Sequence, residues 1–171
     1  MSNSNNQSSA DNQQGRLDEK WLVGFVDGEG CFSVSFVRNK TMRFGYQIFV
    51  EFVITQGEKS LDVLEEMENF FGCGKVYRNT RHDNHREDLY RYCVRSIKDL
   101  DERVIPFFNE NPLVTAKRND FESFVAVVEM MKNGEHLTKS GFETIRDIAA
   151  TMNRKKIRNL EPSETKRQTP A

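Results

Sequence analysis

Residues 21–30 read WLVGFVDGEG, from Trp21 to Gly30, and this stretch organises the rest of the chain. Leu22, Val23, Phe25 and Val26 make it a helix that is apolar on nearly every side, so it is expected to be buried. Gly24 and Gly28 lie four residues apart and therefore on one face. Each interior glycine costs about 1 kcal/mol relative to alanine. That loss has a purpose if a second backbone approaches closely over the bare face, as small residues allow at tight helix crossings. Asp27 and Glu29 add two carboxylates at the C-terminal end, where the helix dipole is already negative. Stability alone does not ask for this, and a divalent cation taking hard oxygen ligands would resolve it. The plainer alternative is a buried helix that ends in an Asp-Gly-Glu-Gly turn.

Upstream, Asp18 is a good N-cap, with Leu17 and Leu22 placed as a hydrophobic staple. Downstream, the apolar period changes to two. Phe32, Val34 and Phe36 alternate with Cys31, Ser33, Ser35 and Val37, and a polar hairpin follows around residues 39–43. Ile48, Val50, Phe52 and Ile54 then alternate with Gln47, Phe49, Glu51, Val53 and Thr55. A helix is expected over 58–71, stopped by Gly72-Cys73-Gly74. Strands at 75–80 and 89–95 flank the polar loop RHDNHRED. Helices at about 97–107, after Pro112, and around Phe142 to Met152 complete the chain. The order α-ββ-α-ββ-α with extra C-terminal helices predicts an α+β domain, one antiparallel sheet backed by helices.

Length and a 37% hydrophobic content suit one domain with a substantial core, expected over residues 17–153. Residues 1–16 read as a disordered polar tail, and residues 154–171 as a basic disordered tail. No secretory or transit peptide is visible in the sequence, and Cys31, Cys73 and Cys93 show no C-x-x-C spacing, so a reduced intracellular setting is expected. Walker A, G-x-S-x-G and dinucleotide fingerprints are absent. The net charge is only −1, but its distribution is uneven. Residues 30–50 and 75–95, the two strand pairs, each carry three excess positive charges, while residues 58–70 carry four excess negative ones. Opposite faces of a fold could hold the two signs.

The outward strand and hairpin residues Ser33, Ser35, Asn39, Gln47, Glu51, Tyr77, Asn79, Arg81 and Arg91 have the donors and acceptors that a DNA major groove requires. An ordinary solvated sheet face would alternate in the same way. Arginine and amide richness without an equal count of carboxylates favours the nucleic-acid reading. His82, Asp83 and His85 sit in so polar a loop that solvent or DNA contact is a better account than a metal.

Three segments carry a resemblance to a known family: Leu22 to Gly30, LVGFVDGEG; Tyr46 to Gly57, YQIFVEFVITQG; and Pro112 to Arg118, PLVTAKR. Together they resemble the LAGLIDADG homing endonucleases, with Val23 and Gly28 in place of alanines and Glu29 in place of the metal-binding aspartate. The resemblance implies a saddle-shaped sheet seated on DNA and metal-dependent hydrolysis with Mg²⁺ or another divalent cation. Metal would be held by Glu29 and the Gly28 carbonyl, and Gln56 and Lys117 would complete the catalytic set. One motif without a second copy implies a homodimer joined through Gly24, Phe25 and Gly28 and reading a long, near-palindromic duplex, cut on both strands. It further implies an intron-encoded gene, in a chloroplast or mitochondrion or a prokaryotic cytoplasm. The alternatives are a non-cleaving binder on the same scaffold, an RNA maturase or DNA-binding regulator, and a protein–protein module using the sheet.

Overall fold

A computed structural model describes residues 17–79 and 88–152, together with the backbone of residues 169 and 170. Helix α1 (Glu19–Glu29) starts as its sequence dictates: the Asp18 carboxylate accepts the Trp21 amide at 2.9 Å. It runs directly into β1 (Gly30–Arg38), which returns through a turn as β2 (Tyr46–Gly57). Asn39 builds that turn, since its side chain accepts from the Thr41 amide and hydroxyl. After a 3₁₀ turn at Glu58–Ser60 comes α2 (Leu61–Phe71), stopped by Gly72 at a φ of 60°. Arg103 donates to the Phe71 carbonyl at this end and supplies what the helix terminus lacks.

Strands β3 (Lys75–Asn79) and β4 (Leu89–Val94) form the second pair. The sequence expectation of a short helix from Ile97 is met by three contiguous pieces, α3 (Ile97–Asp99), a π-helical turn at Leu100–Val104 and α4 (Ile105–Glu110). The long helix α5 (Lys117–Lys132) ends at Asn133-Gly134, and α6 (Lys139–Thr151) follows. The sheet is antiparallel in the order β1-β2-β4-β3. At the outer edge of β3 the backbone of β5 (Thr169–Pro170) pairs with Arg78 and Tyr77, a departure from the expected unstructured tail at those two residues. The remaining expectations for both tails, and for the loop holding His82, Asp83 and His85, concern residues outside those described.

Register explains the division of labour between the two sides of the sheet. Phe32 faces Phe52, Val34 faces Val50, and Ile54 faces Tyr92, so even-numbered positions of these strands share the helix-covered side. There Phe32 stacks on Phe52 at 5.0 Å and meets Phe108, Phe121 and Phe124 edge-on or tilted. Fully burying one such side chain contributes about 2–3 kcal/mol. Leu22 and Val26 of α1, Leu64 and Met67 of α2, and Ile145 of α6 close the same core. Ser33, Glu51, Cys93, Lys75 and their odd-numbered neighbours take the opposite side, away from the core that the described helices cover. The acidic run 58–70 lies in the 3₁₀ turn and α2, behind the sheet, and the basic runs lie in the strand pairs.

Candidate active site and nucleic-acid interface

Helix α1 ends where β1 begins, and three separate parts of the chain meet at that junction. The Asp27 carboxylate accepts the Val114 amide at 2.8 Å, the Thr115 amide at 3.2 Å and the Thr115 hydroxyl at 2.7 Å. Thr115 in turn receives the Lys117 amide on its hydroxyl oxygen at 3.2 Å. The first turn of α5 is thereby locked to the end of α1. Of the two carboxylates at this helix end, Asp27 is satisfied by the protein itself. Burial would raise its carboxyl, but these hydrogen bonds and the nearby Lys117 outweigh that, and it is held below the ordinary carboxylate value.

Lys117 completes the lock from the other direction. Its ammonium donates to the Val26 carbonyl at 2.9 Å and also to the Gly30 carbonyl. A cation at a helix C-terminus is favourably placed against the dipole. Burial nevertheless holds Lys117 below the ordinary lysine value, and the neighbouring Cys31, Asp27 and Glu29 only partly oppose this. Glu29 thus lies within electrostatic reach of Lys117, and its residue is exposed. Gly28 is among the last residues of α1, so its carbonyl is one of the four oxygens a helix end leaves without an intrahelical donor. Gln56 comes to the same end of the sheet, because Gly30 pairs with Ile54 two positions before it.

An oxygen-only set of one carboxylate and one carbonyl suits a hard divalent cation. Magnesium keeps several waters and takes one or two carboxylates plus substrate phosphates. No group of three or more histidine, cysteine, aspartate or glutamate side chains able to hold a metal occurs among the described residues. The donor chemistry of Glu29 and the Gly28 carbonyl suits a cation that keeps several of its waters.

The exposed side of α1 is the second feature. The helix was expected to be buried all round, yet only Leu22 and Val26 are fully so; Trp21 is 45% exposed and stacks on Phe25 at 4.8 Å. A methyl group added at Gly24 or Gly28 would meet nothing within 4 Å in the single chain. The close approach inferred from these glycines is not made among the described residues.

Seven of the expected base-contacting residues, Ser33, Ser35, Gln47, Glu51, Tyr77, Asn79 and Arg91, fall at positions on the uncovered side of the sheet. Asn39 stands in the turn and reaches Gln47 at 3.5 Å, and Arg81 lies outside the described residues. Glu51 is not a solitary acceptor. It receives Arg91 at 3.3 Å, Arg95 at 2.8 Å and the Cys93 thiol at 3.4 Å. The Arg95 guanidinium also lies 5.8 Å from the Tyr77 ring centroid. Burial would raise the Glu51 carboxyl, but the two arginines and the thiol more than offset it and hold it low. Arg95 was absent from the sequence-derived interface; continuing the β4 alternation by one residue past Val94 would have found it.

The sequence profile described as LAGLIDADG endonuclease matches residues 22–128. The chain is 36% identical over 125 residues to the Podospora anserina "uncharacterized 50.9 kDa protein in ND4 intron 1", covering 72% of this chain and 26% of that one. It thus spans about a quarter of that relative's length. Among solved structures, the homing endonuclease I-TnaI superposes with a TM-score of 0.74 at 43% identity, over 82% of this chain and 91% of that one. The I-LtrWI LAGLIDADG homing endonuclease bound to target DNA also superposes with a TM-score of 0.74, at 35% identity, over 82% of this chain and 46% of that one.

Proposed function

The chain belongs to the LAGLIDADG endonuclease family, and on that premise we propose that it is a site-specific DNA endonuclease acting as a homodimer on a long, near-palindromic duplex. The observation that carries this reading is the convergence of Glu29, the Gly28 carbonyl and Lys117 on the C-terminal end of one helix. The open Gly24/Gly28 face of that helix supports the pairing of two copies, and two-fold symmetry requires a target with related halves. Crossing the helices there brings a Glu29 from each subunit to the centre. I-LtrWI, solved on target DNA, supports duplex DNA as the partner.

In this reading Glu29 and the Gly28 carbonyl hold a divalent cation, Mg²⁺ being the natural choice for such donors. A cation bound there supplies a more acidic water and stabilises charge on the phosphate oxygens. Lys117 gives two N–H donors to the Val26 and Gly30 carbonyls and keeps a third for a phosphate oxygen, where positive charge stabilises the transition state. Gln56, at the end of β2, orients the attacking water through its amide. Water adds to phosphorus and one P–O ester bond breaks on each strand. The Podospora relative, in ND4 intron 1, supports an intron-encoded origin.

Incubating a randomised duplex library with the wild-type protein and with Glu29→Gln, in Mg²⁺ and in EDTA, tests the proposal. Metal-dependent cutting of one long, near-palindromic sequence, abolished in the variant, is the expected result. An undiminished Glu29→Gln rate would overturn the assignment of Glu29. Selective binding without cutting would instead favour a maturase or a DNA-binding regulator on the same scaffold.

A further inference from the structure

Glu51, Arg91, Arg95 and Tyr77 form one unit across β2, β4 and β3 at the centre of the uncovered sheet face. The Glu51 side chain is 17% exposed and Arg91 21%, so this ion pair is partly withdrawn from water, unlike the surface pairs at Lys75–Glu68 or Arg118–Glu122. Taking either guanidinium away leaves a carboxylate short of a partner in a shielded position, which is costly.

Resting on the DNA reading above, we infer that Glu51 is a positioning and specificity-determining residue that makes this unit select a G·C pair. A phosphate could satisfy Arg91 and Arg95, but it would strand Glu51 against a polyanion. Generic backbone contact is therefore penalised at this place, a repulsive element of the kind that specificity requires. What relieves both sides at once is a partner offering two acceptors to an arginine fork and a donor to the carboxylate. Guanine presents O6 and N7 and its paired cytosine presents the N4 amino group, side by side in the major groove. Adenine and thymine each present only one acceptor there, besides a donor or a methyl group. Tyr77 beneath Arg95 limits the directions the fork can take, and the Cys93 thiol fills part of the remaining acceptor capacity of Glu51.

Selection from a randomised duplex pool by binding alone, in EDTA so that nothing is cut, tests this with the full chain. Wild type is expected to enrich a site with G·C at one fixed position in each half. Glu51→Gln should lose that single preference by about tenfold, keep the others, and bind unselected duplex more tightly. Arg95→Lys keeps the charge but not the fork, and should relax the same position; it carries the test if Glu51→Gln does not fold. Unchanged preference at every position in both variants, or an equal loss of affinity on all sequences, overturns the proposal. A wild type that enriches no sequence overturns the DNA reading itself, and this one with it.

Discussion

Asp27 holds Thr115 by both its amide, at 3.2 Å, and its hydroxyl, at 2.7 Å, across 88 residues of sequence. Two positions further along the same helix, Glu29 is exposed beside the half-buried ammonium of Lys117. Substitutions at the two acids should therefore have different consequences. Asp27→Ala is expected to lower stability by about 1 kcal/mol, because it removes three hydrogen bonds that tie α1 to the start of α5 and that water replaces only in part. Glu29→Gln should melt within about 0.5 kcal/mol of wild type, as surface substitutions do, while losing the proposed cleavage. Chemical denaturation of the pair beside a cleavage assay measures both effects.

Lys117→Met separates fold from chemistry in another way. The cost of burying its ammonium already offsets part of what its two carbonyl contacts contribute, so stability should change by no more than about 1 kcal/mol. Cleavage should fall by two orders of magnitude or more, the scale for losing one electrostatic contact in a transition state. Since burial holds this lysine below its ordinary value, the alkaline loss of wild-type activity should begin below the usual lysine range. A pH–rate profile measured up to the onset of denaturation checks it.

Gly24→Leu tests the pairing of two copies. A Cβ at this position meets nothing within 4 Å among the described residues, and replacing a helical glycine should stabilise the monomer by about 0.5–1 kcal/mol. Two helices crossing at that face could not accept it. Sedimentation should therefore show the variant as a monomer with an unimpaired melt at low concentration, whereas the proposed pairing predicts a dimer for the wild type.

Acid titration should expose the carboxylates. The folded-state values of Asp27 and Glu51 both lie below their unfolded ones. Their stabilisation is therefore fully present above the ordinary carboxylate value and is lost as the pH falls through the lower, folded values. Stability should be flat near neutrality and decline on acidification, and Glu51→Gln should make that decline shallower. Urea midpoints between pH 7 and the acid limit of solubility report it.

Cys93 should resist alkylation in the folded protein. Burial, together with the neighbouring Glu51, pushes its thiol up to about 12, so almost no thiolate is present at neutral pH. Iodoacetamide labelling read by mass spectrometry should reach Cys93 only once denaturant is added.

How far the sequence reached follows from which interactions are local. Alternation in β1 and β2 assigned Phe32, Val34, Val50 and Phe52 to one side and Ser33, Ser35 and Gln47 to the other, because side-chain direction in a strand depends only on parity. The Asp18 cap and the Gly72 stop were equally legible, being settled within a turn of the chain. The role of Asp27 was not, since its partners Val114 and Thr115 lie 87 and 88 residues away in sequence. The Gly24/Gly28 spacing announced a close approach, and the described residues hold no partner for it. Arg95 was counted as charge and not as interface, although its guanidinium donates to Glu51 at 2.8 Å.

That same parity governs how such a surface can change over generations. Residues contacting a partner occupy alternate positions from residues filling the core, and neighbours along β2 such as Glu51 and Phe52 belong to different jobs. Point substitutions at the solvent-exposed outward positions leave the aromatic core untouched, so recognition can drift there while the scaffold stays constant. Losing a single residue inside β2 is a different event. It would turn Phe52 toward water and Glu51 into the aromatic core, ruining scaffold and recognition together. Lineages of this protein should therefore diverge by exchange of letters within the strands, and admit changes of length only in the connections between them.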